Sequence, residues 1–367
     1  MKGRPQNSGE PVSARRKAPS AEQALIVAPN WIGDAIMAQP LFMRLLEHHP
    51  GLRLDALAPP WVAPVLERMP QIREIAINPF AHGELSLKAR FRLARTLAAK
   101  GYDQAYVLPN SLKSALIPLF AGIPRRVGFT GESRYRLINV RHTLDPAALP
   151  QMAERFAQLA EEVGAPLPRP LPLPRLVSTH EQQAKALDEL RLAKPARVAV
   201  FCPGAEYGPA KRWPARHFAA LADALATHGY VVWLLGSGKD KPVGDEIVRL
   251  ATGGARPVNF CGATRLTQAI DLIGLADVVV CNDSGLMHVA AAVGRPLVAL
   301  YGSSSPGFTP PLSPTAQILS LNLDCSPCFK RECPLGHLDC LNKLEPQRVL
   351  AACLAAASRA AVMGESA

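Results

Sequence analysis

From residue 24 onward, short and nearly unbroken apolar runs alternate with longer stretches whose apolar positions recur every three or four residues. The runs at residues 24–28, 52–57, 74–77 and 104–108 have the length and continuity of strands buried on both faces. Between them, residues 35–48, 61–69, 85–99 and 111–120 carry helical spacing. Such alternation predicts βαβ units and a parallel sheet. The pattern fades across residues 122–141, and a helical segment follows at 152–163. It then restarts, with strands at 198–202, 231–235, 278–281 and 297–301 and helices at 215–228, 240–251, 266–273 and 285–293.

The interruption marks a boundary. Residues 166–174 read Pro-Leu-Pro-Arg-Pro-Leu-Pro-Leu-Pro, and prolines so spaced favour extended backbone and cannot continue a helix. The expected layout is a basic tail (1–22), an N-terminal α/β domain (23–165), a Pro-rich linker (166–176) and a C-terminal α/β domain (177–345). A last helix and tail (346–367) complete it. Two doubly wound halves enclose a cleft, and in such sheets ligands bind beyond the carboxyl ends of the strands.

Composition narrows the function. With 367 residues, the chain fits two domains that each bury a core. No stretch reaches the ~20 apolar residues of a membrane span. Residues 1–22 hold five Lys/Arg and no apolar segment of the secretory kind, which points to a cytosolic location. The 41 Lys+Arg against 30 Asp+Glu give +11, which calls for a polyanionic partner. Aromatics are only 6% and no basic–aromatic interleaving occurs, so nucleic acid is disfavoured.

Four loops carry candidate chemistry. The first strand runs into Pro29-Asn-Trp-Ile-Gly-Asp34, where Asp34 is either a helix cap or a cleft-facing general base. The second half opens with Pro203-Gly204-Ala-Glu-Tyr-Gly-Pro-Ala-Lys211-Arg-Trp-Pro214. Its backbone N–H groups and Lys211 suit a diphosphate, or else form a solvated basic loop; the Walker spacing is absent. Gly236-Ser237-Gly-Lys-Asp240 permits close backbone approach and offers a carboxylate to ribose hydroxyls. Asn282-Asp283-Ser284-Gly285-Leu-Met-His288 enters an Ala-rich helix, whose free N–H groups suit an anion, with His288 on the face of Ser284.

Together with Val107-Leu-Pro-Asn110-Ser-Leu-Lys113-Ser114, Phe120-Ala-Gly-Ile-Pro124 and Pro306-Gly-Phe-Thr-Pro-Pro311, these strings resemble the ADP-heptose:lipopolysaccharide heptosyltransferase family over residues 24–355. The likeness is strongest to the members that add the second inner-core heptose. It implies a GT-B fold, two Rossmann-like domains facing a cleft, with acceptor on the first and sugar nucleotide on the second. Asp34 matches the family's general base, and Lys211 the lysine that neutralises the leaving diphosphate. Gly204, Gly236, Ser237, Asp240, Asp283, Ser284, Gly285 and His288 match the donor side. Asn30, Trp31, Asn110, Lys113 and Arg134 match the acceptor side. The implied substrates are ADP-heptose and heptosyl-Kdo2-lipid A, with inversion at the anomeric carbon and no cofactor for the chemistry. Basic positions such as Lys88, Arg92, Arg95 and Arg134 suit an acceptor in an anionic leaflet, hence a peripheral place at the inner face of the inner membrane. Heptosyltransferases acting on other core acceptors, a GT-B sugar-nucleotide epimerase and a non-catalytic glycolipid binder are the competing readings.

Eight cysteines occur, four of them as Cys325-x2-Cys328-x4-Cys333-x6-Cys340. In a chain without a secretory signal such density favours metal over disulfide, so structural zinc, an iron–sulfur cluster, or free or redox-paired thiols are the options. Cys202, Cys261, Cys281 and Cys353 lie in apolar runs and are expected in the core.

Overall fold

The computed structural model describes residues 22–81 and 83–364. The basic tail expected at 1–22 therefore falls outside the described residues, Glu22 excepted. The N-terminal half forms a six-stranded sheet, with β1 (Gln23–Val27), β2 (Arg53–Ala58), β3 (Ile72–Ile77), β4 (Gln104–Val107), β5 (Arg125–Phe129) and β6 (Val140–His142). Its spatial order is β3-β2-β1-β4-β5-β6. The C-terminal half forms a second, from β7 (Val198–Cys202), β8 (Val231–Leu234), β9 (Val258–Asn259), β10 (Val278–Asn282), β11 (Leu297–Leu300) and β12 (Ala316–Leu319). The order there is β12-β11-β10-β7-β8-β9, which is the same winding. Every pairing is parallel. Both halves thus have the doubly wound arrangement expected of a GT-B protein, with the sequence reversal between β1 and β4 and between β7 and β10.

Central strands and edges differ in how they are made. Helices cover both faces of β1, β7 and β10, so apart from Gln23 and Asn282 at their ends these strands are apolar, and they are almost wholly buried. The strands that went unpredicted lie toward the sheet margins. They are short, as in β6 and β9, or carry charge, as in β5 with Arg125 and Arg126. The helix predicted at 35–48 is two helices, Ile32–Met37 and Gln39–His48. Pro40 supplies no N–H to the preceding turn and restricts Gln39, so the chain restarts there.

The Pro-rich segment forms neither helix nor strand but is fastened at both sides. The Gln39 side chain donates to the Arg175 carbonyl at 2.8 Å and accepts from the Arg175 N–H at 2.8 Å. Leu176 N–H donates to Ala292 of the second half. Arg68 and Asp271 then join the halves through a buried ion pair of 2.7 Å, with the Ser178 hydroxyl donating to the same carboxylate. Helix Pro346–Gly364 packs Val349, Ala352, Cys353 and Ala356 into the core of the second half.

Candidate active site

The second half builds its part of the site from the end of β10. Asn282 is fully buried; its amide donates to the Pro203 carbonyl (2.7 Å) and accepts from the Trp213 N–H (3.0 Å). This clamp pulls the 203–213 loop onto β10 and sets Lys211 Nζ 2.5 Å from Asp283 Oδ2. The adjoining Ser284 stands at the N-cap of helix Gly285–Val293 but makes no side-chain capping bond. The first N–H groups of that helix are left for an anion, with the helix dipole behind them.

The first half meets this loop with its own helix start. Gly33 of helix Ile32–Met37 lies against the His288 ring so closely that a Cβ there would come within 2.7 Å of His288 Cδ2. Reciprocally, a Cβ on Gly285 would stand 3.1 Å from Ile32 Cβ. Two glycines at the crossing let the helix starts touch, and Asp34, one residue on, is carried toward the Asp283–Gly285 loop. Asp34 is the third residue of its helix, and the N-cap position belongs to Trp31. The capping role weighed from sequence is therefore not the one it plays.

Burial pushes the Asp34 carboxyl up to about 6, and the Lys211 ammonium opposes part of that rise. At pH 7 it is mostly ionised and close to the operating range of a general base. Burial takes His288 down to about 4 despite Asp283 beside it, so its ring is neutral.

Other expected residues are placed differently from the roles foreseen. Asp240 does not reach outward: its Oδ2 accepts from the Ser237 N–H (2.9 Å) and hydroxyl (2.8 Å). Gly204 and Gly236 are small because Asp240 packs on them; a Cβ on Gly204 would lie 2.3 Å from its carboxyl carbon. These residues shape the loop, and Asp240 Oδ1 lies 4.0 Å from the Arg212 guanidinium. Arg134 is buried, with its guanidinium on the carbonyls of Phe129 and Pro109 and on Asn110 Oδ1. It holds the loop that carries Asn110; it does not present charge to the cleft. Asn30, Trp31 and Asn110 are exposed, and Lys113 is half-buried at the start of helix Leu112–Phe120.

Of the cysteines, Cys202, Cys261, Cys281 and Cys353 are buried as expected, while Cys325, Cys328, Cys333 and Cys340 are more open and all are free thiols. Among the described residues no group of three or more His, Cys, Asp or Glu side chains is arranged to hold a metal ion. Burial pushes the Cys340 thiol up, and the Cys325, Cys333 and Cys328 thiols stand near enough to help, so the four gather in one place.

The model of glycosyltransferase family 9 (heptosyltransferase) matches residues 90–339. The chain belongs to this family. It is 44% identical to lipopolysaccharide heptosyltransferase 2 of Escherichia coli K12 over 89% of this chain and 96% of that protein. It is 46% identical to lipooligosaccharide heptosyltransferase 2 of Haemophilus influenzae over 81% and 88%. The solved E. coli ADP-heptose heptosyltransferase II superposes with a TM-score of 0.83 at 43% identity, covering 92% of this chain and 99% of that one.

In this heptosyltransferase one exposed aromatic beside the first loop, Trp61, carried no sequence signal of its own. Trp61 is half exposed and donates its indole N–H to the Asn30 carbonyl at 2.8 Å, so it stands beside Trp31 as a second aromatic wall. The Tyr207 ring centroid lies 5.1 Å from Lys211 Nζ. Among the described residues, the Ser303 and Ser304 hydroxyls and Arg212 Nε are buried without a partner.

Proposed function

We propose that this heptosyltransferase moves L-glycero-D-manno-heptose from ADP-heptose to heptosyl-Kdo2-lipid A, completing the second heptose of the lipopolysaccharide inner core. The acceptor hydroxyl gives its proton to the Asp34 carboxylate as its oxygen attacks the anomeric carbon. The bond from that carbon to the diphosphate oxygen breaks on the opposite face, so configuration inverts and ADP departs. Lys211 and the free N–H groups of helix Gly285–Val293 take up the negative charge that grows on the diphosphate. Asp283 pins one donor of the Lys211 ammonium, which leaves its other protons for the leaving group.

The observation that carries this reading is the packing of Gly33 against His288, which brings Asp34 of one half to the loop whose Asp283 holds Lys211, with the cation lowering the Asp34 carboxyl. A general base, a cation and an anion cradle on opposite walls match what a displacement at an anomeric centre needs. No described helix is long and apolar enough to cross a membrane. A lipid acceptor then calls for peripheral attachment at the cytoplasmic face of the inner membrane.

The test follows ADP release and product mass with Kdo2-lipid A and with heptosyl-Kdo2-lipid A. A heptose increment confined to the heptosylated acceptor is expected. An increment on Kdo2-lipid A instead would reassign the chain to first-heptose transfer, and none on either would remove transfer altogether.

A further inference from the structure

The helix Leu87–Ala98 shows solvent a face that the transfer chemistry leaves unused. Leu85, Leu87 and Phe91 are each about half exposed, at 46%, 49% and 51%. With 3.6 residues per turn, Leu87, Phe91 and Ala98 fall within a sector of about 40°. Exposed Arg95, Lys88 and Arg92 occupy the sector beside it. The helix contains no acidic residue. Its fourth cation, Arg90, turns inward to the Leu85 and Glu84 carbonyls and over the Phe80 ring. Just ahead of the helix, the Glu84 carboxylate is taken by the Ser86 hydroxyl and the Ala81 N–H.

An apolar stripe edged by uncompensated cations has the make-up of a helix that lies in the headgroup region of an anionic bilayer. Its location is also apt. Phe91 stands edge-on to Phe120 at 5.7 Å, and Arg90 reaches the Lys113 carbonyl at 3.5 Å. The stripe therefore adjoins the helix whose start carries Asn110 and Lys113, on the acceptor side of the cleft.

We infer that this face is the membrane-docking surface. Leu85, Leu87 and Phe91 enter the acyl boundary, while Lys88, Arg92 and Arg95 engage lipid phosphates. The sugar end of the acceptor then reaches the cleft without its acyl chains leaving the leaflet. The inference rests on the acceptor being a membrane-borne lipid, and it names the surface that meets the membrane.

The test is flotation of the full chain with phosphatidylethanolamine–phosphatidylglycerol vesicles, against phosphatidylcholine vesicles, with no donor or acceptor present. The unaltered protein is expected to float with the anionic vesicles. Leu87→Ser with Phe91→Ser should cut bound protein at least about tenfold at low and high salt. Lys88→Gln, Arg92→Gln and Arg95→Gln together should cut it about 100-fold near 0.1 M salt and erase the preference for anionic lipid. The serine pair should keep its unfolding midpoint and its transfer to a deacylated, water-soluble heptosyl-Kdo acceptor within twofold. Unchanged flotation of the serine pair would overturn the inference. So would loss of transfer to the soluble acceptor, which would put the stripe in the sugar site. A concentration-dependent dimer abolished by the same pair would make a second copy the occupant. Flotation needs no substrate, so failure of the transfer reading would show separately, as no transfer to the soluble acceptor by the unaltered protein.

Discussion

The two halves share one winding but hold their chemistry differently. In the C-terminal half Lys211, Asn282, Asp283, Asp240 and His288 are buried or nearly so, and all but His288 are hydrogen-bonded within the protein. In the N-terminal half Trp31, Trp61, Asn30 and Asn110 face solvent, and the buried polar residue of that wall, Arg134, is a brace. A nucleotide sugar of fixed shape suits a wall built in advance. A large glycolipid suits an open wall of aromatic faces, which gain from sugar contact only when it arrives. Asp34 is the exception in the first half: it is half-buried at the join, on a helix that packs against the second half.

Removing that exception gives the largest effect. Asp34→Asn should lower turnover about 10³-fold, the scale of general-base removal. It should also stabilise the fold near neutrality. The folded carboxyl titrates near 6 against an ordinary 3.8, so between those values the native state holds a proton that the unfolded chain releases. Stability from this group is thus lost as pH rises from about 4 to 6, about 3 kcal/mol by pH 7. Denaturation of Asp34→Asn at pH 7.5 should show a gain of that size, and at pH 4 almost none. Equal stability at both values would mean that Asp34 is not held in a desolvating site.

The join between the halves is the next target. Gly33→Ala places a methyl 2.7 Å from the His288 ring, so about 1–3 kcal/mol of overpacking is expected, with a loss of turnover. His288→Ala in the same chain should return the unfolding midpoint most of the way, because it empties the space the methyl needs. No recovery in the double variant would place the strain elsewhere.

The open wall should respond least. Trp31→Ala or Trp61→Ala should raise the acceptor KM about fivefold to twentyfold, a loss of roughly 1–2 kcal/mol of stacking. The donor KM should stay within twofold. Equal shifts in both constants would erase the division between a prebuilt donor wall and an adaptable acceptor wall.

The sequence made the two halves legible because strands covered on both faces must be apolar, as β1 and β7 are, and the long motif strings marked the loops at their ends. Edges were harder: β5 begins Arg-Arg and β9 has two residues, so neither shows a period. Charge misled where burial decides the role. Arg134 looked like a cleft cation, yet it is buried and its donors go to the Pro109 and Phe129 carbonyls and the Asn110 side chain. The meeting of Asp34 with Lys211 depends on two glycines far apart in the chain, Gly33 and Gly285, fitting against His288 and Ile32. No local pattern encodes that fit.

The central claim is that Asp34, poised by burial opposite Lys211, takes the acceptor proton. Its most direct test is kcat/KM for the acceptor against pH, measured side by side for the unaltered enzyme and Asp34→Asn. The account predicts a fall below about pH 6 in the unaltered enzyme, and about 10³-fold lower values without that limb in the variant. A variant within tenfold of the unaltered enzyme, or one that keeps the same acidic limb, would contradict it.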